Sequence, residues 1–204
     1  SGFLCSVRSR SIARRSEGLL MIITGAKGIV GSRLMRAFPS AIGLDLVSGH
    51  DLVDPTAGYW EHFRNQDAVL HLAAVTSTRD GDTHIDSVVA ATNVISACVR
   101  HGIPRLIFAS STWAEPRDDR PMTAYGHSKR AVEEMLRLFA MKPNRSAVAV
   151  RIGCVPRGGV PRDALCRSLF QSDAELEDFF RRALMAPYGF SLIEKFATLD
   201  PQQD

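Results

Sequence analysis

A glycine-rich turn between an apolar strand and a helix is the feature that most constrains the fold of this chain. Residues 19–24 are almost wholly apolar and predict a short buried strand. Gly25, Gly28 and Gly31 follow at three-residue spacing, and residues 29–38 then have the apolar spacing of a helix. Such glycines permit a tight turn and a close backbone approach to a ligand, and the helix N-terminus favours a pyrophosphate. The sequence therefore predicts a dinucleotide-binding turn made of Gly25, Lys27, Gly28, Ile29, Val30 and Gly31.

Strands and helices alternate after this turn. The run 68–74 is apolar on both faces, which indicates a strand of a parallel sheet covered on both sides. Further strands are predicted at 41–46, 105–111 and 147–152. Helices are predicted at 59–64, 84–101, 125–141 and, after a capping box at Ser172, to about residue 184. This order predicts an α/β fold, a doubly wound parallel sheet of the Rossmann type, with its ligand at the carboxyl ends of the strands.

The chain divides into three predicted regions. Residues 1–20 form a basic leader with four arginines and one glutamate, a composition compatible with an organellar transit peptide. Met21, at the first strand, indicates a natural start instead, so the leader is either an upstream extension or a targeting segment and is expected to be loosely attached. Residues 21–155 are the predicted nucleotide-binding domain with the catalytic residues. Residues 156–204 are expected to form a small, incomplete substrate-binding region, with a tail from Pro187 too short to add much core.

Charge and cysteine content limit which binding partners and which cellular compartment are expected. Outside the leader the chain has 21 basic and 21 acidic residues, so no nucleic-acid partner is expected. No run of 18 apolar residues occurs, so no membrane span is predicted. The cysteines lack metal-ligand spacing, which predicts no metal site and free thiols in a reducing compartment. We therefore expect a cytoplasmic protein, with organellar import by the leader as the alternative. The four cysteines are Cys5, Cys98, Cys154 and Cys166.

An acidic residue after the second strand bears on the choice of cofactor. Asp45 follows Gly25 by 20 residues, where a carboxylate accepts hydrogen bonds from the ribose hydroxyls of an adenosine. A carboxylate there repels a 2′-phosphate, which favours NAD over NADP. Lys27 favours the opposite choice, because a cation in the turn could meet that phosphate. Asp45 is the better-placed discriminator, so NAD is the expected cofactor.

A tyrosine and a lysine stand four residues apart on a predicted helix. Tyr125 and Lys129 would share one helix face, and a nearby positive charge favours the phenolate. The pair can therefore supply a tyrosine that takes up a proton near neutral pH. The spacing also fits an ordinary solvated helix face, and only its combination with the glycine turn favours catalysis.

Five motifs together resemble the NAD-dependent epimerase/dehydratase group of the extended short-chain dehydrogenases/reductases. They are T-G-A-x-G-x-x-G in the glycine turn, D-L-x-D at 51–54, H-L-A-A at 71–74, the strand ending at 108–112, and Y-G-x-S-K at 125–129. The set covers residues 21 to about 155. The resemblance implies that Asp51 and Leu52 flank the adenine and that Leu72, Ala73 and Ala74 line the cofactor. His71 is expected to be a packed histidine at a strand end, without catalytic work.

Within that group the chain most resembles the uronate dehydrogenases. The similarity continues through residues 150–156, Arg162 and the segment from Ser172 to Pro187. The resemblance implies that Tyr125 takes the proton from the C1 hydroxyl of a hexuronic acid while hydride leaves for the nicotinamide, which gives a lactone. Lys129 would lower the tyrosine pKa and bind the nicotinamide ribose, and Ser111 would hydrogen-bond the reacting oxygen. Substrate contacts are implied for Thr76, Ser111, Thr112 and Arg162, the last as a clamp on the carboxylate.

The chain departs from this pattern at several positions. Only 14 residues separate Ser111 from Tyr125, so the loop on the substrate side is shorter than in the family. Thr112 and Trp113 stand where uronate dehydrogenases carry Asn-His, and Ser87 stands where the family places an asparagine of a proton relay. The chain stops soon after Pro187, where the family continues with further substrate-binding elements.

Three functions remain open from sequence alone. They are an NAD-dependent sugar-acid dehydrogenase, a nucleotide-sugar epimerase or dehydratase, and a cofactor-binding protein with weak turnover. An epimerase would need a larger carboxyl-terminal region for its nucleotide, which makes the dehydrogenase the first expectation. The resemblance also implies a homodimer built on helices 84–101 and 125–141, with a monomer as the alternative.

Overall fold

Six parallel strands form one sheet at the centre of the molecule. The computed structural model describes residues 18–76, 81–118 and 121–194. The strands are β1 (Met21–Thr24), β2 (Ile42–Leu44), β3 (Ala68–His71), β4 (Arg105–Ser111), β5 (Ser146–Ile152) and β6 (Gly189–Glu194). Their spatial order is β2-β1-β3-β4-β5-β6. The chain moves outward from β1 to β2 and then returns to the other side of β1, so the order reverses between β1 and β3, where sheets of this kind bind their ligand.

Helices cover both faces of the sheet. They are α1 (Ile29–Ala37), α2 (Gly81–His101), α3 (Ala124–Ala140), α4 (Ala164–Ser168) and α5 (Asp173–Met185). Short 3₁₀ helices occupy Leu46–Ser48, Gly58–Phe63 and Thr112–Ala114. Helices α2 and α3 pack on one face, and α1 and α5 pack on the other. The predicted α/β, doubly wound parallel architecture is therefore confirmed.

Alternating strand residues feed two separate cores. Val69 and Leu106 pack with α2 and α3, whereas their neighbours Leu70 and Ile107 pack with α1 and α5. All four side chains are at most 1% exposed. Because both faces are dry, the strands are apolar at successive positions rather than at every second one. Burial of this kind contributes roughly 1.5–3 kcal/mol for each large apolar side chain.

The carboxyl-terminal tail differs from its prediction. Residues 189–194 form β6, which pairs in parallel with β5 over its whole length. Phe190 packs onto the core under α3, and Ile193 packs onto the opposite core. The sequence did not predict this edge strand. Its side chains are at most partly buried, so the described part of the tail adds little to the core, in line with the expectation. The division into regions at residue 155 stays a prediction.

Two cysteines predicted as free thiols form a disulfide. Cys154, after β5, is bonded to Cys166 in α4. The amide of Cys154 also donates to the carbonyl of Leu169 at 2.7 Å. A disulfide and a backbone hydrogen bond therefore both connect Cys154 to the end of this segment. The prediction of a free thiol holds for Cys98, which is buried, and Cys5 lies outside the described residues. The spacing of 12 residues carried no signal for this bond, since it arises from the turn that joins β5 to α4.

Within the part of the chain that the structure describes, no helix is both long and apolar enough to cross a membrane. Most of the basic leader, residues 1–17, lies outside the described residues, so the expectations for it stay predictions.

Candidate active site

The glycine turn lies at the reversal point of the sheet, with its backbone pressed against the end of β3. Gly25 has φ +67°, a conformation that favours glycine. A Cβ at Gly25 would lie 2.7 Å from the amide nitrogen of Ala73, and one at Gly31 would overlap the carbonyl oxygen of Gly25. Neither position has room for a side chain. The fold thus forms a bare backbone cradle at the predicted dinucleotide site.

Helix α1 begins directly at this cradle and has no side-chain cap. Gly28 is its N-cap residue, and Ile29 and Val30 open its first turn. The free N–H groups of this turn form an anion site. Beside it lies a cavity of about 390 Å³. Its charged lining residues are Lys27, Arg33, Arg36, Arg157 and Asp173.

One of these lining cations, Arg157, extends the anion site beyond its sequence prediction. Lys27 belongs to the predicted turn, whereas Arg157 comes from the loop after β5. Arg33 and Arg36 are instead paired with Asp173, at 2.8 and 3.5 Å. Arg157 could not be identified from sequence, because only the return of the β5 loop to α1 brings it here.

Asp45 ties the glycine turn to the second strand. Its Oδ2 accepts from the amide of Lys27 at 2.9 Å, and its Oδ1 accepts from the amide of Val47 at 3.0 Å. The carboxylate therefore stands at the end of β2, beside the turn, as a ribose-binding acid requires. Farther along, Asp51 accepts from Val53 at 2.9 Å, and Leu52 is buried.

The end of β3 forms the opposite wall of the cradle. The amide of Leu72 donates to the carbonyl of Thr24 at 3.2 Å, which holds 72–74 beside β1. His71 is 2% exposed, its Nδ1 is 2.7 Å from the Thr24 hydroxyl oxygen, and its ring stacks on Phe108. Burial, followed by the charge of Lys129, lowers the pKa of His71 to about 3. The ring is therefore neutral and packed, as expected from sequence.

Ser111, Tyr125 and Lys129 meet at the carboxyl edge of β4. Ser111 ends β4, Tyr125 lies in the first turn of α3, and Thr123 caps that helix by accepting from the amide of Gly126 at 3.1 Å. The Ser111 hydroxyl hydrogen-bonds the Tyr125 phenol. Lys129 is buried, with Nζ 5.5 Å from the Tyr125 ring centroid. The three predicted catalytic side chains are thus brought together.

The pKa of Tyr125 beside Lys129 differs from the expectation. Burial raises the pKa of Tyr125, and the hydrogen bond with Ser111 lowers it by less. Lys129 donates to the carbonyl of Ala109 at 2.8 Å, and burial lowers its pKa to about 7 against an opposing effect of Glu133. The predicted lowering of the tyrosine pKa by Lys129 is not seen in this structure, because desolvation outweighs it.

A buried ion-pair network stabilises α3, the helix that carries Tyr125 and Lys129. Glu133, one turn beyond Lys129, accepts two hydrogen bonds from Arg151 of β5 at 2.9 and 3.0 Å. It also accepts from the Ser110 hydroxyl at 2.5 Å. The Arg151 and Glu133 side chains are 6% and 3% exposed. Sequence reasoning missed this network, since nothing local marks Glu133 as an inward-facing residue.

The predicted substrate residues are more scattered. Thr112 opens the 3₁₀ helix directly after Ser111. Thr76 is exposed in the segment after β3, and the amide of Val75 donates to the Ser87 hydroxyl at 3.0 Å. Arg162 is exposed on the loop between the disulfide cysteines. In the described ranges no hydrogen bond or ion pair joins Arg162 to the catalytic group, so its role stays a prediction.

No metal centre is evident among the residues that the structure describes: no group of three or more His, Cys, Asp or Glu side chains is placed to hold an ion. The site is built instead from backbone amides, a carboxylate, hydroxyls, a phenol and an ammonium group. These groups can bind a dinucleotide and exchange a proton with a substrate hydroxyl.

Solved structures of similar fold include uronate dehydrogenases and a UDP-galactose 4-epimerase. A mutated uronate dehydrogenase is 26% identical with a TM-score of 0.75, and the match covers 87% of this chain and 74% of that one. A glucuronic acid dehydrogenase from Chromohalobacter salexigens is 24% identical, with a TM-score of 0.72 over 87% and 76% of the chains. A UDP-galactose 4-epimerase is 20% identical, with a TM-score of 0.66 over 87% and 77%. The last two likenesses show the fold alone.

The model of the NAD dependent epimerase/dehydratase family matches residues 21–155. That range contains the glycine cradle, Asp45, the β3 wall and the group of Ser111, Tyr125 and Lys129, whose placement has been described above. The chain belongs to the NAD-dependent epimerase/dehydratase family.

Proposed function

We propose that this chain is an NAD-dependent dehydrogenase that oxidises the C1 hydroxyl of a hexuronic acid to a lactone. The observation that carries the proposal is the contact of Tyr125 with Ser111, above a buried Lys129, at the sheet edge beside the glycine cradle. The 26% likeness to a uronate dehydrogenase supports the choice of substrate class.

The residues of the cradle fit a dinucleotide. Glycine at 25 and 31 lets the turn pack tightly against its own backbone and against Ala73, and the uncapped start of α1 suits a pyrophosphate. Asp45 is the acceptor for the adenosine ribose, which favours NAD over NADP. Lys27 and Arg157 would neutralise the phosphates from the cavity side. When bound, NAD supplies the hydride acceptor that the side chains of this site lack.

The catalytic side chains would divide the work as follows. The Tyr125 phenol oxygen takes the proton of the C1 hydroxyl, while Ser111 donates a hydrogen bond to the oxygen that becomes the carbonyl. Lys129 is held in place by the hydrogen bond that its Nζ donates to the Ala109 carbonyl. Ser111 and Lys129 are buried, which strengthens their electrostatic interactions.

The substrate contacts complete the proposal. Thr112 follows Ser111 directly and Thr76 is exposed in the segment after β3, and we propose that both contact sugar hydroxyls. Arg162 would clamp the carboxylate in a bidentate pair, which requires its loop to turn toward Tyr125. A homodimer through α2 and α3 also stays a prediction; Leu138 and Met141, at the end of α3, are 70% and 79% exposed.

The test is to incubate the purified chain with NAD and either galacturonate or glucuronate and to follow NADH by its ultraviolet absorbance. We expect NADH to form with one of these sugar acids, and turnover to fall roughly 10²- to 10⁴-fold in Tyr125→Phe. The matched control is Tyr188→Phe, which removes the hydroxyl of an exposed tyrosine far along the sequence and should leave turnover unchanged.

The alternatives give different results in the same assay. A nucleotide-sugar epimerase would leave no net NADH and would interconvert UDP-sugars. A weak cofactor-binding protein would bind NAD without turnover. Either result, or full activity of Tyr125→Phe, contradicts the proposed mechanism.

A further inference from the structure

A second histidine near the site is buried without hydrogen-bond partners. His84 lies in α2 and is 3% exposed, and both of its ring nitrogens are buried and unpaired among the described residues. Buried polar atoms are almost always hydrogen-bonded, and each one left unpaired costs about 1–3 kcal/mol. An apolar side chain would pack at this position without that cost. The imidazole therefore calls for an explanation other than core packing.

The ring of His84 lies against the candidate catalytic tyrosine. The centroids of the His84 and Tyr125 rings are 5.8 Å apart, and the ring planes are inclined by 57°. The side chain is thus held at the junction of α2 and α3, where the proposed reaction takes place. Ser87, one turn farther along α2, is already engaged, because its hydroxyl accepts from Val75 and donates to the carbonyl of Thr83.

The other buried histidine of this region shows what a packed imidazole has here. His71 is bonded to the Thr24 hydroxyl and stacked on Phe108. His84 has an aromatic neighbour but no such hydrogen bond. The two residues are equally buried, so the difference is in their polar partners. His84 alone keeps both of its nitrogens available.

The proposed reaction leaves a proton on Tyr125 in every turnover. This proton must leave before the next cycle, and burial makes the phenolate costly to regenerate. Lys129 is committed to the Ala109 carbonyl. Imidazole is the side chain best suited to take up and release a proton near neutral pH.

We propose that His84 is a further catalytic residue that accepts the proton from Tyr125 after hydride transfer. The inference rests on the proposed function. Within the described part of the chain, no hydrogen bond joins the two side chains, so the proton crosses by way of one water molecule. The O–H bond of the phenol breaks, an N–H bond forms at an unpaired imidazole nitrogen, and the phenolate is restored. The imidazolium then releases the proton through that water to solvent. Substrate oxidation thus yields lactone, NADH and one proton, and His84 returns to its starting form.

The first test compares turnover of the unsubstituted protein, His84→Ala and His84→Leu. We expect both variants to bind NAD and to lose about 100-fold in kcat, at the lower end of what proton transfer contributes, with KM for the sugar acid unchanged. Added imidazole should restore much of the lost kcat in His84→Ala, whose cavity can admit it, and none in His84→Leu. The matched control is His127→Ala, an exposed histidine of α3 two residues from Tyr125, which should keep full turnover.

A second measurement needs no turnover. Nitrogen NMR of ¹⁵N-histidine-labelled protein should show that Tyr125→Phe shifts the ring resonances of His84 and leaves those of His127 in place. Full kcat in both His84 variants, or loss without imidazole rescue, overturns the role of His84. If the unsubstituted protein oxidises no sugar acid, the proposed function fails. Unshifted His84 resonances would then overturn the contact with Tyr125 as well.

Discussion

The buried pair of Glu133 and Arg151 predicts that loss of one partner lowers stability more than loss of the other. Arg151 has three carboxylate partners: Glu133 at 2.9 Å, Glu194 at 3.2 Å, and Glu115. Within the described ranges, the hydrogen-bond partners of Glu133 are Arg151 and the Ser110 hydroxyl. Glu115 and Glu194 are 53% and 32% exposed, whereas Glu133 is 3% exposed. Loss of the guanidinium therefore strands a buried charge, while loss of the Glu133 charge does not.

The magnitudes follow from these partners. Arg151→Met leaves the Glu133 carboxylate buried without a countercharge and should cost about 3–5 kcal/mol of unfolding free energy. Glu133→Gln keeps the volume and an acceptor for Ser110, and Arg151 keeps its two other carboxylates. Its cost should be about 1.5–3 kcal/mol, the value of a hydrogen bond to a charged group. The double variant strands no buried charge at position 133, so its cost should fall short of the sum by about 0.5–3 kcal/mol.

The assay is urea unfolding near neutral pH, followed by circular dichroism and tryptophan fluorescence. Glu134→Gln, on the solvent side of the same helix, is the control and should lie within about 0.5 kcal/mol of the unsubstituted protein. A smaller cost for Arg151→Met than for Glu133→Gln, or strict additivity in the double variant, would refute the reasoning.

Three further predictions follow from the same structure. Burial lowers the pKa of Lys129 to about 7 from 10.5, so the unfolded chain binds an extra proton between these values. The unfolding free energy should therefore rise by up to ~1.4 kcal/mol per pH unit across that window relative to Lys129→Met, and a flat difference in urea titrations would contradict the assignment. Replacing Cys154 and Cys166 together with serine opens a short loop and should lower stability by about 3 kcal/mol, as should a reductant; an unchanged urea midpoint would argue against the bond. Gly31→Ala forces a methyl group into the backbone of the glycine turn. It should lower the free energy of unfolding by at least about 1–3 kcal/mol and weaken NAD binding measured by calorimetry. The control Gly58→Ala, which has open space around it, should change neither quantity.

Local patterns sufficed to predict most of the sheet and the glycine cradle. The strand at 105–111 has its predicted limits, and α3 differs from its prediction by one residue at each end. These elements were predictable because their signals are contiguous: an apolar run, a glycine spacing, a helix face. Tyr125 and Lys129 likewise share a helix turn, so their proximity follows from α-helical geometry alone.

Features that depend on which elements meet across the fold were not predictable. Glu133 lies among charged neighbours on α3, and only the packing of that helix on β4 and β5 turns it inward toward Arg151. The disulfide of Cys154 and Cys166 and the cavity position of Arg157 depend on the path of the loop after β5. Strand β6 escaped prediction because an edge strand of six residues with partial burial lacks a strong apolar run.

The central claim is that the chain removes a hydride from C1 of a hexuronic acid. The most direct measurement uses galacturonate or glucuronate carrying deuterium at C1, incubated with NAD and the protein, with mass spectrometry of both products. The account predicts NADH that carries the deuterium, a lactone that lacks it, and a roughly 10²- to 10⁴-fold slower formation of both products with Tyr125→Phe. Unlabelled NADH, or NAD that stays oxidised with both sugar acids, would contradict it.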